Sequence, residues 1–267
     1  MFGSWTNELD RLSYEYTHAC PIEHVVIPNF FSLEMAEKIY AQFPTPDETW
    51  FKYENPFEGK YIFNQFKNDD PMKKVIDELY SPQFLEYVSK ISQVPNLESD
   101  PHLNAGGLHA YTRNGMSGVH LDYTIHPVTG KERRVSIMVY MSKNWNESWG
   151  GHLKLYDENI ENPVKLVHSL WNTAVLFRTN GKAYHGFPEP IKCPEGQYRK
   201  VIGIYYMTDP TPESLANPRK NAQYFIEPGK PVHENMKKLL DIRRSRRLTP
   251  DDLLIWPDWR RDCGRDD

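Results

Sequence analysis

Short runs of β-branched and aromatic residues fill the chain from about residue 106 to residue 208, and they constrain its fold more than any other feature. Gly, Asn and Pro separate these runs. Such a pattern is typical of short strands joined by turns. The predicted strands cover residues 107–113, 118–122, 134–142, 152–156, 164–168, 173–178, 183–186 and 198–207. Eight short strands in succession favour a jelly roll, also called a double-stranded β-helix.

Helical spacing of apolar residues precedes this region. Residues 33–43 are predicted to form a helix with Ser32 as its N-cap, and a second helix is predicted over 71–80. A third begins at Ser81-Pro82, a cap followed by a proline in the order that helices prefer. Residues 24–31 predict a short strand, and residues 47–70 are aromatic and irregular, which predicts loop and a short strand. We therefore expect the N-terminal region to form a helical layer over one face of the sheet.

The pattern changes again after residue 209. Residues 210–232 are rich in Pro and Asn, residues 231–247 predict a helix with a basic end, and Thr249-Pro250-Asp251-Asp252 is typical of a helix start. A basic helix end is usually a solvated face, and binding of an anionic partner is the alternative. The expected fold class is mainly β with flanking helices (α+β). One domain, 1–267, would comprise a helical support region (1–105), a jelly-roll core (106–208) and a helical extension (209–267).

Composition excludes several classes of protein. The net charge of −4 gives no nucleic-acid or acidic-membrane signature. No apolar run approaches the roughly 18 residues of a membrane helix, and the N-terminus lacks the features of a signal peptide. Cys20, Cys193 and Cys263 are scattered and form no Cys-x-x-Cys pair. We expect a reduced, cytoplasmic protein that is a monomer or a homodimer.

Three residues have the types and spacing of a metal site. His120 and Asp122 are two apart, so both side chains leave the same face of an extended segment. His185, from a later strand, would complete a 2-His-1-carboxylate triad, which non-haem Fe(II) oxygenases use. A His-x-Asp pair alone is weak evidence, because such pairs are common on protein surfaces.

An arginine opens the last predicted strand. A buried arginine needs an anionic partner, because its charge cannot be removed and is costly to leave unpaired. If no protein carboxylate serves Arg199, a co-substrate carboxylate bound by two hydrogen bonds would. Lys200 is the alternative residue for this role. Strand alternation favours Arg199, which shares a face with Val201 and Gly203.

Several stretches of the chain resemble the Fe(II)/2-oxoglutarate-dependent dioxygenases, and within them the prolyl-hydroxylase-like branch. They are Leu108-His-Ala-Tyr-Thr-Arg-Asn-Gly, His120-Leu-Asp122, Arg134-Val-Ser-Ile-Met-Val-Tyr-Met-Ser-Lys-Asn-Trp145, Trp149-Gly-Gly-His-Leu-Lys-Leu-Tyr156, His185-Gly186 and Arg199-Lys-Val-Ile-Gly-Ile-Tyr-Tyr206. The resemblance covers roughly residues 106–208. The loop 187–197 is longer than in the hypoxia-sensing members of the branch.

By resemblance, His120, Asp122 and His185 would bind Fe(II), and Arg199 would bind the far carboxylate of 2-oxoglutarate. Tyr111 and Tyr140 match tyrosines that line the co-substrate site. The resemblance further implies O₂ as the second co-substrate and ascorbate (vitamin C) as a stimulant.

Substrate contacts are less defined. Tyr123 and His126 lie in a loop, 123–131, that covers the substrate in the resembling family. His152 follows the Gly150-Gly151 pair and could line the cavity. A solvent-facing loop and a structural histidine are the alternatives. His109 is expected to make a structural hydrogen bond.

The resulting hypothesis is a dioxygenase that hydroxylates an unactivated C–H bond, with release of succinate and CO₂. A prolyl residue of a peptide or protein is the favoured substrate, and a free amino acid or another small metabolite is the alternative. Two other classes stay open at this stage: a non-catalytic jelly-roll binding module, and a jelly-roll hydrolase or isomerase with a different metal.

Overall fold

Thirteen strands and seven α-helices make up the fold of residues 1–265, which are the residues that this computed structural model describes. The strands are β1 (His24–Pro28), β2 (Phe51–Asn55), β3 (Glu58–Phe63), β4 (Glu98–Ser99), β5 (Gly107–Tyr111), β6 (Met116–Leu121), β7 (Glu132–Tyr140), β8 (Leu153–Tyr156), β9 (Pro163–Val167), β10 (Thr173–Arg178), β11 (His185–Phe187), β12 (Arg199–Thr208) and β13 (Gln223–Tyr224). The helices are α1 (Leu9–Thr17), α2 (Leu33–Gln42), α3 (Pro71–Leu79), α4 (Pro82–Ser92), α5 (Pro212–Ala216), α6 (Glu234–Ser245) and α7 (Trp259–Asp262).

The strands form one antiparallel sheet that nearly closes into a barrel. Its order is β1-β10-β7-β12-β5-β3-β6-β11-β8-β9, with β4 on β12, β2 on β3 and β13 on β6. Strand β3 joins the two halves, since its end pairs with β5 and its start, at Glu58 and Gly59, pairs with β6. The jelly-roll prediction is confirmed.

Capped helices cover one face of this sheet. The side chains of Ser32, Asp70 and Ser81 accept hydrogen bonds from the first turns of α2, α3 and α4, so each helix begins where its capping residue satisfies a free N–H. Apolar residues of these helices share a core with the alternate residues of β7, β10 and β12 that face them. The expected helical layer is therefore present.

The structure differs from the sequence-based prediction in four places. Helix α1 was not predicted, and the stretch 47–70 holds two paired strands, β2 and β3, where loop and a short strand were expected. Helix α6 begins only at Glu234, because the His233 ring caps it by accepting from the Asn235 N–H. The predicted helix start at Thr249 leads only to a short 3-10 turn, Asp252–Ile255.

The C-terminal extension packs against the strand that carries His120. Strand β13 pairs with β6, and a small apolar core holds the extension to the loop before β3. This core contains Phe57, Tyr224, Leu239, Leu240, Trp256 and Trp259. The division of the chain at residues 106 and 208 stays a prediction, although the sheet takes strands from both sides of these points. Among residues 1–265, no helix has the length and apolar character needed to cross a bilayer.

Candidate active site

Pairing of two strands brings the three predicted metal ligands together. His185 of β11 lies directly opposite His120 of β6, and their rings are 4.3 Å apart between centroids. Asp122 follows the end of β6. Its Oδ1 lies 3.6 Å from Nε2 of His120, and its Oδ2 lies 3.6 Å from Nε2 of His185. One atom from each of the three residues therefore falls within 4.8 Å of the others, close enough to bind one ion.

Backbone contacts orient both histidine rings toward the shared point. Nδ1 of His120 lies 2.8 Å from the carbonyl oxygen of Gly118, and Nδ1 of His185 lies 2.8 Å from that of Ala183. Each carbonyl accepts an Nδ1–H, so the Nε2 lone pair is left for a metal. Burial lowers the pKa of His185 to about 4, and the nearby His120 ring contributes to the shift. His185 is therefore neutral near pH 7, as a metal ligand must be.

A buried arginine supports the carboxylate of the triad. The guanidinium of Arg133, 1% exposed, lies 2.7 Å from Oδ2 of Asp122, and it also donates two hydrogen bonds to the Ser136 hydroxyl. The Tyr205 ring stacks on it with the guanidinium carbon 3.3 Å from the ring centroid. Burial alone would raise the pKa of Asp122, but Arg133 and then His185 hold that pKa well below its usual range. The carboxylate is thus kept ionised without a metal.

A β-bulge explains why sequence patterning did not identify Arg133. On β12, Tyr206 pairs with Val135 and Met207 pairs with Arg133, so one extra residue, Arg134, is accommodated on β7. Simple alternation from Tyr140 and Met138 would put Arg134 on the cavity side. The bulge reverses the alternation and turns Arg133 inward, a use of bulges that is common beside active sites.

Two residues of the C-terminal extension hold the triad in place. The ring of Tyr224 stacks on His120 at 5.1 Å, and its hydroxyl donates to Oε2 of Glu58 at 2.9 Å. Arg219 donates from Nε to the carbonyl oxygen of Asp122 and from a terminal nitrogen to that of Asn180. Both residues lie in a stretch without strand or helix periodicity, so no local signal in the sequence identifies them.

The triad opens into a cavity of about 650 Å³ whose inner end is formed by Arg199. This side chain is 3% exposed, its Nε donates to the Ser169 hydroxyl at 3.0 Å, and among residues 1–265 it pairs with no carboxylate. Lys200 lies on the opposite side of β12, against the rings of Tyr40 and Phe43. Arg199 therefore faces the cavity and Lys200 faces the helical layer.

Aromatic rings surround the Arg199 guanidinium. Tyr111, its partner across β5 and β12, and Tyr140 both have ring centroids 5.0 Å from the guanidinium carbon, and that of Phe187 is at 4.5 Å. Burial raises the pKa of Tyr140 to about 12, and the neighbouring Arg199 guanidinium opposes that rise. Among residues 1–265 the Tyr140 hydroxyl makes no hydrogen bond of good geometry. A buried guanidinium and a buried, unsatisfied hydroxyl at the end of a cavity fit a carboxylate ligand.

The candidate substrate contacts lie at different distances from the cavity. Tyr123 lines the cavity, and its hydroxyl donates to the carbonyl oxygen of Asn104. His126 does not reach the cavity, because its Nδ1 accepts from the N–H groups of Val128 and Thr129 and its Nε2 lies 3.3 Å from Asp100. These contacts hold the His126 ring, and a substrate contact by His126 stays a prediction.

His152 is not among the residues that line the cavity, and a substrate contact by its ring stays a prediction. Its Nδ1 accepts from the Ser169 N–H, and its Nε2 bonds to the carbonyl oxygen of Glu147. The ring fixes the loop behind Arg199. His109 bonds through Nε2 to the carbonyl oxygen of Ala105, as predicted.

Taken together, an antiparallel jelly roll and a buried 2-His-1-carboxylate site define the class of the protein: the geometry is that of a non-haem iron oxygenase. The family model of the 2OG-Fe(II) oxygenase superfamily matches residues 106–207. The match covers 102 of the 267 residues, and members of this superfamily use Fe(II), 2-oxoglutarate and O₂.

The chain is also similar to one curated protein and to several solved structures. Prolyl 3-hydroxylase OGFOD1 of Mus musculus is 26% identical over 200 residues, which cover 70% of this chain and 33% of that protein. The chain thus spans about a third of the length of this curated relative. A Trichoplax adhaerens prolyl hydroxylase, solved with a peptide fragment of the hypoxia inducible factor oxygen degradation domain, has a TM-score of 0.52 at 19% identity over 77% of this chain and 93% of that one. A 2OG-Fe(II) oxygenase family oxidoreductase from Burkholderia pseudomallei has a TM-score of 0.51 at 12% identity, over 74% and 89%.

Proposed function

We propose that the protein is an Fe(II)- and 2-oxoglutarate-dependent dioxygenase that hydroxylates a prolyl residue of a peptide or protein and releases succinate and CO₂. One observation carries the reaction type. The free ring nitrogens of His120 and His185, the Asp122 carboxylate and the Arg199 guanidinium all line one cavity. The names of the Mus musculus and Trichoplax adhaerens proteins, both prolyl hydroxylases, support a prolyl substrate.

In this proposal each residue has a defined part. Iron(II) and 2-oxoglutarate, when bound, supply the oxidising chemistry. His120, Asp122 and His185 would hold the iron at three adjacent positions. Arg199 would bind the far carboxylate of 2-oxoglutarate, with Tyr111 and Tyr140 beside it. Arg133 and Tyr224 are positioning residues, because they contact Asp122 and His120 rather than the reacting atoms.

Anaerobic reconstitution tests whether the protein binds Fe(II) and 2-oxoglutarate and uses them with O₂. Protein mixed with Fe(II) and 2-oxoglutarate should develop the weak visible charge-transfer band of the chelate, and succinate should form slowly once O₂ is admitted. His185→Ala and Asp122→Gly should abolish both signals. His18→Ala, which removes the exposed histidine at the C-terminal end of α1, is the matched control and should retain them. Full turnover by Asp122→Gly, or no band from folded wild-type protein, would contradict the proposal and favour a binding module.

Mass spectrometry tests whether the substrate is a prolyl residue of a peptide. Blocked prolyl peptides and free proline are offered to the same iron-loaded enzyme, and the product is examined for one added oxygen atom on the proline ring. Oxidation of the peptides supports the proposal. Oxidation of free proline alone would replace the peptide substrate with a small metabolite. The monomer or homodimer state stays a prediction, which light scattering would test.

A further inference from the structure

The outer part of the cavity is lined by basic side chains that the triad and the co-substrate do not use. Seven cationic residues line the whole cavity, against two carboxylates, Glu58 and Asp122. Arg133 pairs with Asp122, and Arg199 is reserved for 2-oxoglutarate in the proposed function. Iron(II) and the 2-oxoglutarate dianion carry opposite charges of equal size, so binding of both leaves the net charge of the cavity unchanged. The five remaining cations are Lys60, Lys220, Arg243, Arg246 and Arg247.

The deepest of these charges share a single carboxylate. Glu58, 2% exposed, lies 3.3 Å from Nζ of Lys60 and 3.4 Å from a terminal nitrogen of Arg243. Burial opposes ionisation, but Lys60 and Arg243 lower the pKa of Glu58 to about 2, so it carries one full negative charge. Two cations therefore face one anion, and the group keeps one positive charge in excess.

Arg243 is poorly satisfied where it stands. It is 5% exposed, and its Nε is buried without a hydrogen-bond partner among residues 1–265. Its other contacts, to Glu58 and to the carbonyl oxygen of Ala222, are long at 3.4 and 3.3 Å. A guanidinium in a cavity wall that lacks some of its hydrogen bonds favours binding of an anion, because folding has already removed the guanidinium from water.

Two further cations lie at the exposed mouth. Arg247 follows Arg243 by four residues, just beyond the end of α6, and its guanidinium carbon lies 5.3 Å from the ring centroid of Tyr53. Lys60 lies over the same ring at 5.2 Å, so Tyr53 connects the mouth to the inner group. Lys220, at the other side of the extension, is exposed. Neither Lys220 nor Arg247 forms an ion pair with residues 1–265, whereas Arg246 is held by Asp252.

We infer that these residues select a prolyl segment flanked by acidic side chains. This inference rests on the proposed function and names the class of its substrate. The charges extend from the buried wall at Arg243 to the exposed mouth at Lys220 and Arg247, and they belong to separate segments of the chain. A peptide with several carboxylates can contact the buried wall and the exposed mouth at the same time, while a single small anion cannot.

Fluorescence anisotropy with labelled peptides tests the inference without turnover. The probes are three blocked twelve-residue peptides with a central proline, flanked on both sides by Asp and Glu, by Asn and Gln, or by Lys. The anaerobic Fe(II)/2-oxoglutarate enzyme should bind the acidic peptide about tenfold more tightly than the neutral one at low salt, which corresponds to two or three partly exposed ion pairs. The preference should shrink in concentrated salt.

Matched variants locate the effect. Lys220→Gln and Arg247→Gln should each weaken binding of the acidic peptide about two- to fivefold and leave the neutral peptide unaffected. Arg244→Gln is the control, because this exposed arginine lies in the last turn of α6, shortly before Arg247, but pairs with Asp241 and does not line the cavity.

Three results would overturn the inference: equal binding of the acidic and neutral peptides, preference for the Lys peptide, or an effect of Arg244→Gln as large as that of Arg247→Gln. None of them would affect the charge-transfer band or peptide-independent succinate, on which the proposed function depends. Loss of those two signals in the wild-type protein would instead refute the proposed function.

Discussion

Replacement of Arg133 by methionine tests how the protein keeps its metal-binding carboxylate charged. Arg133→Met retains an apolar stem of similar length and removes the guanidinium that lies 2.7 Å from Asp122. Both side chains are buried, at 1% and 9% exposure, so water cannot readily take the place of the arginine. The carboxylate would be left in the interior without its nearest counter-charge.

The size of the effect follows from that burial. Removing one partner of a buried ion pair typically costs about 3–5 kcal/mol, because the remaining charge stays desolvated. An exposed pair would cost less than about 1 kcal/mol. We therefore expect Arg133→Met to lower the free energy of unfolding of the metal-free protein by about 3–5 kcal/mol. A second substitution, Asp122→Asn, removes the stranded charge and should restore part of the loss.

Urea unfolding in the presence of EDTA, followed by tryptophan fluorescence, measures these differences. The wild type, both single variants and the double variant form a cycle whose coupling energy should be about 1–3 kcal/mol. EDTA is essential, since a bound cation would itself compensate Asp122. A loss below about 1 kcal/mol in Arg133→Met, or costs that simply add in the double variant, would show that the pair is not a buried, coupled unit.

Three further predictions concern the cavity and its strands. Arg199→Ala should raise the 2-oxoglutarate concentration needed for half-maximal succinate formation at least tenfold, and Lys200→Ala should leave it unchanged. The reverse result would show that the 2-oxoglutarate carboxylate binds on the other face of β12. Gly186→Ala should lower the free energy of unfolding by about 1–3 kcal/mol and weaken Fe(II) binding in titrations. The new Cβ would lie 2.6 Å from the carbonyl oxygen of Gly118 and disturb the strand pairing that aligns His185 with His120. Unchanged metal affinity would contradict this. Burial, with nearby Lys60, lowers the pKa of His109 to about 3, so the stability that this neutral ring provides is complete above pH 6.5 and is lost as the pH falls toward 3. His109→Gln should therefore flatten the fall in unfolding free energy below pH 6.5 by up to about 1.4 kcal/mol per pH unit, and identical slopes in wild type and variant would refute that assignment.

Strand alternation made much of the site predictable from the sequence. The period of two is a local property, so it placed His120 and Asp122 on one face and separated Arg199 from Lys200 without knowledge of the fold. The spacing of short apolar runs likewise gave the jelly roll. Helix caps such as Ser81 marked real helix starts, because the capping hydrogen bond is made within a few residues.

Other features depend on contacts that no local pattern records. The inward turn of Arg133 requires the bulge opposite Met207, which is set by pairing between distant strands. Tyr224 reaches His120 only because the extension folds back onto β6. His126 lies in the loop that was expected to cover the substrate, but its ring bonds within that loop, and its burial became visible only in the structure.

The pairing of β13 with β6 has a consequence for any shortened form of the protein. Gln223 and Tyr224 lie opposite Leu121 and His120, so the extension occupies the edge of the strand that carries the first metal ligand. A chain cut after residue 208 would expose unpaired backbone groups of β6, and such edges pair readily with other molecules. It would also lose the aromatic ring stacked on His120. In a chain of this length the segment that matches the superfamily model would present an open strand edge to other molecules, and the C-terminal extension covers that edge.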